Sequence, residues 1–139
     1  MLFMIRQINC DPTFLSQKAK PVTKADLFIV TDLLDTLKAN KERCVGMAAN
    51  MIGENKQIIA CQLGPFFVPM IEPKIVKKAK PYKTTEGCLS LPGQKETTRY
   101  EVITVKYLDE ELESKRQEFS GFPAQIIQHE IDHLNGILI

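Results

Sequence analysis

The stretch from Phe122 to Gly136 constrains this 139-residue chain more than any other part of it. It contains His129-Glu130-Ile131-Asp132-His133, an H-E-x-x-H element, and the signals around it are helical. Pro123 suits a first turn, the interior holds no Gly or Pro, and Gly136 can end the helix in a left-handed cap. A helix advances about 100° per residue, so His129 and His133 fall on one edge about 40° apart, with Phe122 and Ile126 stacked on the same edge. Ile127, Ile131 and Leu134 make a separate apolar face suited to a core, while Gln125, Gln128, Asp132 and Asn135 make a polar one. Two imidazoles one turn apart with a carboxylate beside them begin a divalent metal site. The chain has only two His, and both are here.

Such a site needs at least a third protein ligand, and catalysis needs a position left open for water. After the helix, residues Leu134 to Ile139 offer no strong donor, so the third ligand is a Cys or a carboxylate from upstream. Cys88 is the best placed, following a Gly in the turn-rich segment Thr85-Glu86-Gly87-Cys88-Leu89-Ser90-Leu91-Pro92-Gly93. Cys10, Cys44 and Cys61 sit in arm, loop and strand contexts and read as structural. Four Cys in a chain of this length do not read as a disulfide framework.

The remaining sequence describes the scaffold. A length of 139 residues fits one domain spanning 1–139, and 44% hydrophobic with 25% charged residues is ordinary for a globular protein. A formal net charge of +1 gives no global electrostatic case for nucleic acid or membrane partners. The cluster Lys74, Lys77, Lys78, Lys80 and Lys83 reads as a solvated face. Nothing resembles a transmembrane span, and the N-terminal apolar run is too short for a signal-peptide core before Arg6, so the expected location is cytoplasmic.

Residues 1–22 read as an irregular arm with an extended piece, broken by Pro12 and Pro21. A helix fits residues 24 to about 39, with capping-box-like spacing of Thr23 and Asp26 and an inward stripe of Leu27, Val30, Leu34 and Leu37. Small residues at Gly46, Ala48 and Ala49 permit close approach of another backbone or a ligand. Strands are expected over Lys56–Cys61 and Pro65–Ile71, joined by a Gly64-Pro65 turn, with a further edge strand over Lys74–Lys80. Tyr100–Leu108 alternates as a strong strand, and Glu113–Phe119 is its hairpin partner across Asp109-Glu110-Glu111. The fold class is α+β, with mostly antiparallel strands packed around the C-terminal H-E-x-x-H helix.

Three segments, in order, together resemble the signature motifs of the peptide deformylase family: Gly46-Met-Ala-Ala, Glu86-Gly-Cys-Leu-Ser90 and Gln128-His-Glu-Ile-Asp-His-Leu-Asn-Gly136. Residues 65–73 and the strand from Val102 resemble it as well, so the likeness spans nearly the whole chain. By that resemblance Cys88, His129 and His133 would hold one divalent metal, usually Fe²⁺ in the family, with Zn²⁺, Ni²⁺ or Co²⁺ able to replace it. Glu130 would be the general base and then the acid, and Leu89 would give its backbone N–H to the developing oxyanion. The backbone around Val45 and Gly46 would hold the substrate peptide, and Gly87 is counted with it. The family removes the formyl group from the N-terminal methionine of new chains, so a formyl-methionyl peptide is the expected substrate.

The residues are suited to that chemistry on their own terms. Phe122 and Ile126, beside the His pair, offer an apolar wall for an unbranched side chain such as methionine. Asp132 and Gln128 either orient a ligand imidazole through its second nitrogen or stay solvated.

Two features depart from the family pattern. Its first motif reads roughly Gly-x-Gly-x-Ala-Ala-x-Gln, whereas here Cys44 replaces the first Gly and Met51 stands at the Gln that donates a hydrogen bond to the oxyanion. A thioether has no donor, and losing one oxyanion donor costs roughly 10²–10³ in rate, so reduced activity is expected. The chain also stops three residues after Gly136, where many family members continue into a helix used in some to reach the ribosome; this puts a ribosome contact in doubt. Two other readings stand beside deformylation. One is a related amidohydrolase acting on another N-acyl substrate, and the other a non-catalytic paralogue that binds peptide N-termini.

Overall fold

The computed structural model describes residues 5–88 and 91–137 of the chain. Its elements in order are helix α1 (Pro12–Leu15), helix α2 (Leu27–Ala39), strand β1 (Gly46–Ala48), strands β2 (Ile58–Leu63), β3 (Phe66–Cys88), β4 (Leu91–Leu108) and β5 (Ser114–Ser120), and helix α3 (Gly121–Leu134). The five strands form one sheet in the order β1-β2-β3-β4-β5, every pair antiparallel. This is the α+β architecture expected, with α3 as its C-terminal helix.

The sheet is buried on both faces at its β1–β2 end, which explains why Ile58-Ile59-Ala60-Cys61 is apolar without interruption. Alternate residues go to opposite sides. Ala48, Ile59, Cys61, Met70, Ile103 and Val105 join Ile127, Ile131 and Leu134 of α3 in one core. Met47, Ile58, Ala60 and Ile71 join Ile29, Val30, Leu33 and Leu37 of α2 in the other. The buried stripe of α2 is thus rotated from the expected one, with Leu27 and Leu34 only partly buried. The helix also starts later than expected, because a 3-10 turn occupies Lys24–Asp26, where the Asp26 carboxylate accepts the Thr23 backbone N–H at 2.9 Å.

The largest difference from expectation is β3. The strands expected over Pro65–Ile71 and Lys74–Lys80 are one strand, and the turn-rich segment from Thr85 continues it to Cys88, with β4 returning from Leu91. Register shifts between Ile71 and Lys74 and between Ile75 and Lys77 bend β3 as it passes from β2 to β4. Beyond Lys74 it pairs with β4 alone among the described residues, and its side chains stand mostly in solvent. An outer hairpin of this kind has no buried face to impose an apolar alternation, so its sequence lacks the usual strand signature. The arm expected to be irregular holds α1, which begins at Pro12 with the Asp11 side chain accepting the Thr13 N–H.

Helix α3 ends in a Schellman motif. Gly136 (φ +75°) lets Ile137 N–H reach Asp132 O at 3.0 Å and its own N–H reach His133 O at 3.1 Å. A Cβ at this position would run into the Ser16 backbone, so no other residue fits here without moving the arm. No helix among the described residues is long and apolar enough to cross a membrane.

Candidate metal centre

A strand alternates its faces, so Glu86 and Cys88 at the end of β3 point to the same side, toward α3. On α3, one turn separates His129 from His133. The Cys88 sulfur and one ring nitrogen of each His all lie within 4.8 Å of one another, and the two Nε2 atoms are 3.0 Å apart. His133 is fully buried and His129 nearly so, while Cys88 is half-buried. One cysteine sulfur and two imidazoles, drawn from a helix and the end of a long hairpin, form a donor set that would suit a divalent transition metal.

The ring of His129 is held from behind. Its Nδ1 lies 2.7 Å from Glu86 Oε1. Glu86 is itself gripped by Arg99, with Nη2 at 2.7 Å and Nε at 3.0 Å, and by Gln125 Nε2 at 2.8 Å. Arg99 Nη1 then reaches Asp132 Oδ2 at 2.6 Å. Burial alone would raise the Glu86 carboxyl, but its hydrogen bonds to His129, Arg99 and Gln125 outweigh that and hold it at about 2. For His129 burial likewise opposes the charge, yet its bonds to Cys88 and Glu86 bring it up to about 10. His133, by contrast, is pushed down to about 3 by burial and by the neighbouring His129.

Glu130 is only 4% exposed, and burial pushes its carboxyl up to about 7. Its Oε2 lies so close to Gly46 that a Cβ there would meet it at 2.9 Å and Ile126 Cγ2 at the same distance. Only glycine therefore lets β1 close on α3 at this point. Beside these groups is a cavity of about 640 Å³. Val45, Gly46, Gly87, Phe122 and Ile126 all line it, together with Met51, Cys88, His129 and Glu130. His133 lies behind the lining. Leu89 falls outside the described residues. Lys41, Arg43 and Gln94 add polar groups to the wall, and so does the Cys44 thiol, which burial pushes up to about 11.

Met51 is turned back on its own turn. It is 1% exposed, and its sulfur accepts the Ala48 N–H at 3.5 Å. Of the two residues considered as supports for a ligand imidazole, neither touches a ring. Gln128 is buried and pairs with the backbone N–H and C=O of Tyr100, both at 2.8 Å, in place of a neighbouring strand. Asp132 reaches His129 only through Arg99 and then Glu86.

A sequence profile of the polypeptide deformylase family matches residues 5–139. The chain belongs to that family. The peptide deformylase of Clostridium beijerinckii is 55% identical over 136 residues, covering 98% of this chain and 100% of that protein. Among solved structures, peptide deformylase from Thermotoga maritima superposes with a TM-score of 0.86 at 33% identity, over 96% of this chain and 94% of that one. The Met-Ala-Ser-bound class I type b peptide deformylase from Acinetobacter baumannii does so with a TM-score of 0.86 at 29% identity, over 99% of this chain and 97% of that one. The deformylase likeness drawn from the three motifs is thus correct, and with it the fold.

Within this candidate site, sequence reasoning missed the contacts of Glu86, Arg99 and Gln125. Glu86 carried a usable signal, since a residue two before a ligand on a strand shares its face. Arg99 carried none, because nothing in a linear reading brings β4 beneath α3.

Proposed function

We propose that the chain is a metal-dependent peptide deformylase of the cytoplasm, a single domain that removes the formyl group from the N-terminal methionine of newly made polypeptides. Family membership supports the activity, and one observation carries the site assignment: the Cys88 sulfur and two imidazole nitrogens lie within 4.8 Å of one another beside a buried carboxylate. In this reading Cys88, His129 and His133 hold one divalent cation, Fe²⁺ by family habit, with Zn²⁺, Ni²⁺ or Co²⁺ as replacements. When bound, the cation supplies Lewis acidity, lowering the pKa of water and polarising the formyl carbonyl.

The chain's own groups do the rest. Glu130 takes a proton from the attacking water and delivers it to the departing amine as the C–N bond breaks, leaving formate and a free methionine N-terminus. A carboxyl held near 7 by burial serves both roles at neutral pH. Glu86 holds the His129 ring by its Nδ1, which would leave Nε2 to a bound ion. Val45, Ile126 and Phe122 form the apolar wall for the methionine side chain, and the Val45–Gly46 backbone takes the peptide. The oxyanion is assigned, on family resemblance, to the Leu89 backbone N–H.

The test is formate release from a formyl-methionyl tripeptide by protein loaded anaerobically with Fe²⁺ or Ni²⁺, with acetyl and longer-acyl peptides as controls. We expect turnover of the formyl peptide alone, and Glu130→Gln to lower it by about 10² or more while keeping the metal. Preference for a longer acyl group would support an amidohydrolase of different substrate. Tight binding of peptide N-termini without turnover would support a non-catalytic paralogue.

A further inference from the structure

Among the described residues, three buried polar atoms around the centre have no hydrogen-bond partner: Asn50 Oδ1, His133 Nδ1 and Glu130 Oε1. Buried polar groups are rarely left unpaired, because each orphan costs its full desolvation. Two of these three belong to residues that already touch. Asn50, fully buried in the 3-10 turn Ala49–Ile52, donates from Nδ2 to the His133 backbone carbonyl at 2.9 Å, across 83 positions of chain.

The two orphans are complementary. His133 Nε2 faces His129 Nε2 at 3.0 Å, so it is the nitrogen that must keep a free lone pair for a cation. The hydrogen then sits on Nδ1, a buried donor in search of an acceptor, while Asn50 Oδ1 is a buried acceptor in search of a donor. His129 has the Glu86 carboxylate for this purpose, whereas His133 Nδ1 has no partner among the described residues. The third orphan, Glu130 Oε1, belongs to a carboxylate whose other oxygen lies against Gly46 on the cavity wall.

Resting on the metal-site reading above, we propose that Asn50 is the positioning residue of His133. Its Nδ2–H fixes the backbone carbonyl, and its Oδ1 accepts the ring Nδ1–H through one buried water, holding the tautomer that would present Nε2 to a cation. The site then has two unlike supports, a carboxylate behind one imidazole and a neutral amide behind the other.

The test uses the full chain loaded with Zn²⁺. Release to a chelator is followed with a metal-sensitive dye in wild type, Asn50→Leu, which removes both bonds at similar volume, and Asn50→Asp, which keeps an acceptor and loses the donor. We expect release from Asn50→Leu roughly 10–100-fold faster than wild type, with Asn50→Asp close to wild type. The Co²⁺-loaded proteins should show shifted ligand-field bands in Asn50→Leu alone. In wild type with ¹⁵N-labelled His, the His133 Nδ1 should carry a slowly exchanging proton, a readout that needs no variant to fold. A wild-type release rate in Asn50→Leu, with only its melting temperature lowered, would reduce Asn50 to a structural role and overturn the proposal. So would a bare Nδ1 in the wild-type spectrum. A wild type that takes up no Zn²⁺ would instead overturn the metal reading itself.

Discussion

Met51 stands where the first motif of the family has a glutamine, and its side chain is buried. Its sulfur occupies the Ala48 N–H, at 3.5 Å, and sulfur is a weak acceptor. A glutamine there could take the same N–H through Oε1, which would turn its Nε2 toward the cavity that Met51 also lines. Met51→Gln is therefore expected to raise turnover of a formyl-methionyl peptide by about tenfold or more, since one oxyanion donor is worth roughly 10²–10³ in rate. Steady-state kinetics on the two proteins decide it, and an unchanged rate would mean that the oxyanion is already fully stabilised by other groups. At this scale much was legible. The H-E-x-x-H spacing placed both His and Glu130, and a Cys after a Gly named Cys88. Asn50 and Arg99 were not legible, because the first acts 83 positions away and the second acts through the β3–β4 pairing, which no motif announces.

Between elements, the centre depends on how the end of the β3–β4 hairpin is fastened to α3. Glu86 from β3 and Arg99 from β4, with side chains 7% and 4% exposed, tie both strands to His129, Gln125 and Asp132 of the helix. Removing one partner of such a buried pair leaves an uncompensated charge, so this fastening is sensitive to acid. Glu86 is held at about 2, below its ordinary 4.5, so its contribution to stability is fully present above about pH 4.5 and is lost as the pH falls through 2. The gap in urea-unfolding stability between wild type and Glu86→Gln should be on the order of 3 kcal/mol at pH 6 and narrow steadily below pH 4.5. A gap that stays constant down to pH 2.5 would show that Glu86 is not ionised by its partners. The sequence announced α3 clearly through its apolar face and its Gly136 cap. It did not announce the outer hairpin at its full length: only Lys74–Lys80 and Tyr100–Leu108 read as strands, because most β3 side chains beyond Lys74, Glu86 apart, stand in solvent.

Across the whole molecule, the sheet separates an α3 core from an α2 core, and the candidate centre lies where the hairpin end meets the first of these. Fold class, strand direction and most strand positions followed from apolar patterning, since burial imposes that pattern at the β1–β2 end. The continuity of β3 did not, because bulges and solvent, rather than a buried face, shape its outer half. A cation binding Cys88 on the hairpin and two His on α3 would join elements about 40 positions apart, so loading should raise the melting temperature as well as permit turnover. The most direct test of the account is the metal content of protein purified anaerobically, measured by mass spectrometry for wild type and Cys88→Ser. The account predicts about one divalent ion per wild-type chain and close to none in the variant. Equal metal content in the two proteins would contradict it.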